Sequence, residues 1–249
     1  MTLSNTIKGV LFDIDDTLVD TRGAFAHCVT VLVDTFMPHL PPERHHEVLA
    51  MWRTDPNGHY RAYTRGEKTA REQRMARANE VHEAFGGQIL NDAGFDEWDA
   101  VFQNAFRTGW QPFAESRTVV DELRAQGILV GALSNAPRAM QTEKLAICGL
   151  DDVDLLVTLD TFGVGKPDPR VFLEAVRLLG LSPEHVAYVG DELDFDARGA
   201  VHAGLGQGIW VDRAGTRRGG PHDESHDHAA DTSITVVKSL ADLLKRSGN

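Results

Sequence analysis

The chain has 249 residues, with 25 Lys+Arg against 37 Asp+Glu, a formal net charge of −12 and 42% apolar residues. A chain this long buries enough surface to fold without disulfide or metal staples, and its acidic balance argues against nucleic-acid binding, which depends on neutralising phosphates. No apolar run approaches the roughly 18–20 residues of a bilayer span. The opening, Met1 to Lys8, lacks the basic-then-apolar pattern of a secretion signal. Two isolated cysteines, Cys28 and Cys148, form neither a disulfide framework nor a zinc knuckle and fit a reducing cytoplasm.

Lys8-Gly-Val-Leu-Phe-Asp13 is a short apolar run ending in carboxylates, which reads as a buried strand. The next convincing strand, Gly127 to Leu133, lies more than a hundred residues later. A single crossover needs far fewer, so something is inserted between the two. The insertion reads as helical. Phe25, Cys28, Val29, Leu32, Val33 and Phe36 form one helical stripe, and Phe95, Trp98, Val101, Phe102, Ala105 and Phe106 form another. Pro41 and Pro42 can open a helix carrying Val48, Leu49 and Trp52. The stretch 66–85 is polar and charged, with weaker helical periodicity.

From about residue 115 the rhythm becomes strand and helix in alternation. Ser116 can cap a helix ending at Gly127. Strands are predicted at 128–133, 155–158, 186–189, 208–211 and 234–237. Helices are predicted at about 137–148, 169–179, 195–203 and 239–245. Alternation with buried-looking strands implies an α/β fold, a doubly wound parallel sheet covered on both faces. The expected division is a core of residues 1–20 and 109–249 and a helical domain of 21–108.

In open parallel sheets, ligands sit beyond the carboxyl ends of the strands. Asp13, Asp15, Asp16 and Thr17 follow the first strand, and Ser134 and Asn135 follow the second. Lys166-Pro-Asp-Pro169 follows the third, and Asp191, Glu192, Asp194 and Asp196 follow the fourth. Asp13 and Asp15, two apart, point the same way in extended backbone. Carboxylates held that close repel unless a cation intervenes. Hard oxygen ligands without a Cys or His cluster suit Mg2+, which commonly shares its shell with a substrate phosphate.

These segments resemble the motifs of the haloacid dehalogenase-like superfamily, most of whose members are phosphatases. Phe12-Asp-Ile-Asp-Asp-Thr-Leu18 is similar to its first motif, Leu133-Ser-Asn135 to its second, Lys166-Pro-Asp-Pro169 to its third and Val189 to Asp196 to its fourth. The resemblance implies a Rossmann-like core with an inserted α-helical cap. It implies an Mg2+-dependent hydrolysis of small phosphate monoesters, such as sugar phosphates or nucleotides, through an aspartyl-phosphate. Asp13 then matches the nucleophile, Asp15 the general acid and base, and Thr17 a support for their loop. Ser134 and Asn135 match phosphate-binding positions, and Lys166 offsets charge on nucleophile and phosphate. Asp13, Asp15 (through its backbone carbonyl) and Asp191 match the metal ligands, with Asp196 behind them, paired with Lys166. Glu192 and Phe195 depart from the family pattern, in which a small hydroxyl residue and Asn are commoner.

Three other readings share parts of the pattern: a phosphomutase, a 2-haloacid dehalogenase and a non-enzymatic phospho-acceptor module. Dehalogenating members lack the second motif-one aspartate, which is present here as Asp15. Receiver-type modules are about half this length. The mutase reading turns on the cap, which decides whether water or a sugar intercepts the aspartyl-phosphate. The expected partner is a small phosphorylated metabolite, with no nucleic acid or membrane, and a monomer or homodimer. Arg61, Arg65, Lys68, Arg71, Arg74 and Arg77 make a locally basic stretch that could steer an anion. His222, His226 and His228, with Asp223 and Asp227, read as a polar loop.

Overall fold

The computed structural model describes residues 2–213 and 232–244. The loop containing His222, His226 and His228 lies outside them. The chain divides into two compact units, leaving the first after Asp20 and rejoining it at Gln111.

Strand β1 (Gly9–Phe12) is fully buried, as its apolar run requires. The helical unit follows, with α1 (Thr21–Phe36), α2 (His45–Thr54), α3 (His59–Thr64), α4 (Ala70–Phe85) and α5 (Asp92–Thr108). The stripes of α1 and α5 meet, and Cys28 Sγ reaches the Phe102 carbonyl at 3.4 Å. Trp98 and Phe102 stack at 5.4 Å between ring centroids, with Trp52 of α2 at 5.8 Å from each. Pro42 opens a 3-10 turn before α2 rather than α2 itself.

Helix α4 is polar, and ion pairs and a capping box hold it. Thr69 and Glu72 form a reciprocal capping box at its start. Arg71 and Arg74 lie over the rings of Phe95 and Phe102, at 4.8 and 5.0 Å, while bonding Asp96 and Asp99 of α5. Arg65 pairs with Glu67, and Arg77, buried over Trp52, lies 3.7 Å from Asp55. Four basic residues of the 61–77 stretch therefore have carboxylate partners within their own unit.

The α/β unit continues with α6 (Ser116–Ala125), β2 (Leu129–Ser134), α7 (Arg138–Ile147), β3 (Leu156–Thr158), α8 (Pro169–Leu179), β4 (Val186–Gly190), α9 (Gly199–His202), β5 (Gln207–Val211) and β6 (Ile234–Val237). All strand pairs are parallel, in the order β3-β2-β1-β4-β5-β6. This is the expected doubly wound sheet, with β1 between β2 and β4. Val10, Leu11, Phe12 and the whole of β4 are buried. Phe172 of α8 packs edge-on against Tyr188 of β4 at 5.1 Å.

Three local expectations change. Ser116 does not cap α6: Glu115 occupies that position, and the buried Ser116 hydroxyl donates to the Leu18 carbonyl at 2.7 Å. The helix expected at 195–203 begins instead as a π turn, Leu193–Arg198, before α9. The final segment, Leu240–Leu244, is a 3-10 turn. Among the described residues no helix is long and apolar enough to cross a membrane.

Candidate active site

The strand order places the carboxyl ends of β2, β1 and β4 side by side. The ladder runs one residue past β1, where Asp13 N–H donates to the Val189 carbonyl at 2.9 Å. The chain then folds tightly, with Leu18 and Val19 N–H both donating to the Ile14 carbonyl and Asp16 at φ 60°. Because the extended backbone stops at Phe12, Asp13 and Asp15 send their carboxylates to different partners.

Asp13 goes to Lys166. The ammonium donates to Asp13 Oδ1 at 2.7 Å, Asp196 Oδ1 at 2.6 Å and the Tyr188 hydroxyl at 2.9 Å, which uses its three protons. Tyr188 in turn donates to the Leu133 carbonyl at 2.9 Å. Asn135 holds the lysine's loop from both sides: its Oδ1 accepts from Lys166 N–H at 2.6 Å, and its Nδ2 donates to the Lys166 carbonyl at 3.0 Å. The Asn135 side chain is thereby turned onto the loop backbone.

Asp196 is fully buried, and its second oxygen accepts the Glu192 N–H at 2.9 Å. Gly190 makes this position possible: a Cβ there would lie 2.2 Å from Asp196 Oδ2. The Trp210 indole N–H donates to the Asp191 carbonyl at 2.9 Å and pins that turn. Thr17 is buried, its hydroxyl 3.5 Å from Asp191 Oδ1.

Asp15 goes to α7. Its Oδ1 pairs with Lys144 Nζ, and its Oδ2 accepts from Gln141 Nε2 at 2.6 Å. Gln141 Nε2 also donates to Ser134 Oγ at 2.8 Å. Neither α7 residue was singled out from the sequence. The available signal was polar residues in an apolar stripe: Gln141, Lys144, Leu145 and Cys148 all face inward. Tyr188 and Trp210 carry no sequence signal beyond that of strand residues.

Burial pushes the Asp13 carboxyl up to about 6, Lys166 works against it, and Asp191 and Asp15 add to the rise. Burial opposes the charge on Lys166, yet Asp13 and Asp196 hold its pKa well above the usual lysine range. Burial keeps the Tyr188 hydroxyl un-ionised.

Asp13, Asp191 and Asp196 place carboxylate oxygens within 4.8 Å of one another, a group that could hold a metal ion. Four carboxylates, counting Asp15, face two ammonium groups, Lys144 and Lys166. The surplus of negative charge and the all-oxygen donor set suit a hard divalent cation. Asp196 already accepts on both oxygens, which leaves Asp13 and Asp191 as the better-placed ligands.

Comparison with known proteins identifies the family. The family model for haloacid dehalogenase-like hydrolases matches residues 7–204. The chain belongs to this family. It is 28% identical over 247 residues to the glyceraldehyde 3-phosphate phosphatase of Methanothermobacter thermautotrophicus, covering 95% of this chain and 98% of that one. It is 38% identical over 102 residues to the phosphoserine phosphatase of Thermus thermophilus, 41% of each chain. The putative HAD-hydrolase YfnB of Bacillus subtilis, solved bound to magnesium, has the same fold, with a TM-score of 0.71 at 21% identity over 95% of this chain and 96% of that one. In this haloacid dehalogenase-like hydrolase the four motif segments, distant in sequence, meet beyond the carboxyl ends of the strands.

Proposed function

We propose that this protein is an Mg2+-dependent phosphatase that hydrolyses small phosphate monoesters through an aspartyl-phosphate on Asp13. The observation that carries the reading is Asp13 itself. It is a buried carboxylate at the tip of the central strand, bonded to a buried lysine and facing Asp191. The full-length likeness to a glyceraldehyde 3-phosphate phosphatase supports a small phosphorylated metabolite as substrate.

In the first step an Asp13 oxygen bonds to phosphorus as the ester P–O bond breaks, and Asp15, with a proton on one oxygen, gives that proton to the departing oxygen. In the second, water adds to phosphorus, the Asp13–phosphorus link breaks, and Asp15 takes the water's proton. Lys166 balances charge on Asp13 and on the phosphoryl group throughout, while Tyr188 and Asn135 keep it in place. Ser134 donates its hydroxyl proton to a phosphoryl oxygen. Asp13 and Asp191 would hold Mg2+, which supplies positive charge to screen nucleophile and phosphate from each other.

The test is a panel of phosphorylated metabolites, including glyceraldehyde 3-phosphate and phosphoserine, assayed for phosphate release. Asp13→Asn should lower turnover by at least about 10³-fold while the protein stays folded. Chelation should silence the wild type and added Mg2+ should restore it. An Asp13→Asn protein retaining more than a few per cent of the wild-type rate would remove Asp13 from its assigned place.

A further inference from the structure

We infer that Lys144 and Gln141 of α7 are positioning residues for this reaction: they fix the Asp15 carboxylate and tie it to the Ser134 hydroxyl. The inference rests on the phosphatase reading and extends it to residues outside the four motifs.

Lys144 is 1% exposed and Gln141 is fully buried, whereas the Asp15 side chain they hold keeps 31% of its surface exposed. Burying an ammonium and an amide is costly unless their partners are good. An apolar residue at either position would extend the stripe formed by Leu145 and Cys148 with less desolvation. The two are three apart on one helix, so they project side by side. Each grips a different oxygen of Asp15, which sets the plane of the carboxylate as well as its position.

Gln141 has a second effect. A hydroxyl oxygen offers two lone pairs and one proton. Ser134 Oγ accepts from Gln141 Nε2 at 2.8 Å and from Ala136 N–H at 3.2 Å. Both lone pairs are occupied, so the Ser134 proton is left for an acceptor outside the protein. A phosphoryl oxygen is such an acceptor. One amide nitrogen, with its two N–H groups, therefore links the proton-transfer residue to the phosphate-binding hydroxyl. The sheet supports the arrangement, since β2 carries Ser134 and α7 follows it directly.

Leaving-group dependence separates positioning from bulk stability. The p-nitrophenolate ion departs from p-nitrophenyl phosphate without a proton, whereas the alkoxide of glycerol 3-phosphate needs one. The value of kcat/KM reports the steps through formation of the phosphoenzyme. In Lys144→Met the lost ammonium favours a proton on Asp15, while the lost anchor leaves that proton misaimed. With positioning the larger effect, the ratio of kcat/KM for p-nitrophenyl phosphate to that for glycerol 3-phosphate should rise by about tenfold. Gln141→Leu should move the ratio the same way and raise KM for both esters, because Ser134 loses its fixed polarity. Gln141→Leu also gives a reading if Lys144→Met does not fold. A ratio that stays constant or falls in the folded variants overturns the inference, however far both rates drop. A wild-type protein that releases phosphate from neither ester nor from any member of the metabolite panel fails the phosphatase reading itself. A wild type active on both, with an unmoved ratio in the variants, fails only the assignment of Lys144 and Gln141.

Discussion

At the scale of single residues, the site is organised by two buried lysines. Lys166 serves Asp13 and Asp196, and Lys144 serves Asp15. Only the first was legible in the sequence, because its loop is fixed by prolines and follows a strand. The second sits in the last turn of α7, where a lysine looks like a solvated side chain answering the helix dipole until the helix is docked. Tyr188 was hidden for a similar reason: tyrosine in a strand reads as apolar filling, yet its hydroxyl bridges Lys166 and the Leu133 carbonyl. Tyr188→Phe leaves that carbonyl without its donor and Lys166 one acceptor short. The expected cost is about 1–3 kcal/mol of stability, read as a lower midpoint in urea or thermal unfolding. A midpoint equal to wild type would mean that the hydroxyl bridge contributes nothing net.

At the scale of elements, the strands were legible because short apolar runs bounded by turn residues have few alternatives. The helices of the apolar stripes were legible for the same reason. Helix α4 was less so, since ion pairs and cation–π contacts hold it where an apolar stripe would be expected. The π turn at 193–198 leaves no periodic trace in the sequence; single π turns are frequent at functional sites. Helix α4 also carries a pH-sensitive group. His82 is buried, with Nδ1 donating to the Gln88 carbonyl at 2.6 Å and no partner for Nε2. Burial lowers its pKa below the usual histidine value. The unfolded chain therefore binds the proton more readily. Stability from the neutral ring is fully present above the unfolded pKa of about 6.5 and falls as the pH drops through it. His82→Asn keeps the donor to Gln88 and removes the titration. The fall in melting temperature from pH 7.5 to 5 should be smaller in this variant than in wild type. Equal slopes would show that His82 does not contribute to acid sensitivity.

At the scale of the whole molecule, one topological fact makes the site. With β1 between β2 and β4, residues 13, 134, 166 and 191 come together at the carboxyl end of a parallel sheet despite their separation in sequence. Parallel order follows from strand and helix alternation, so both the fold and the convergence of the motif segments follow from the sequence pattern. The sequence does not determine which neighbouring side chains tighten that end. Gly190 illustrates the point: its value lies in the space it leaves for the Asp196 side chain, which the π turn brings against the β4 backbone. The account stands on Asp13 carrying the phosphoryl group. Acid-quenching the enzyme during turnover of a phosphate ester in Mg2+, then digesting it for mass spectrometry, reads this directly. The account predicts one added phosphoryl group on the peptide containing Asp13, lost on treatment with hydroxylamine and absent from Asp13→Asn. Steady turnover with a phosphoryl group on another residue, or with the same adduct persisting in Asp13→Asn, would contradict it.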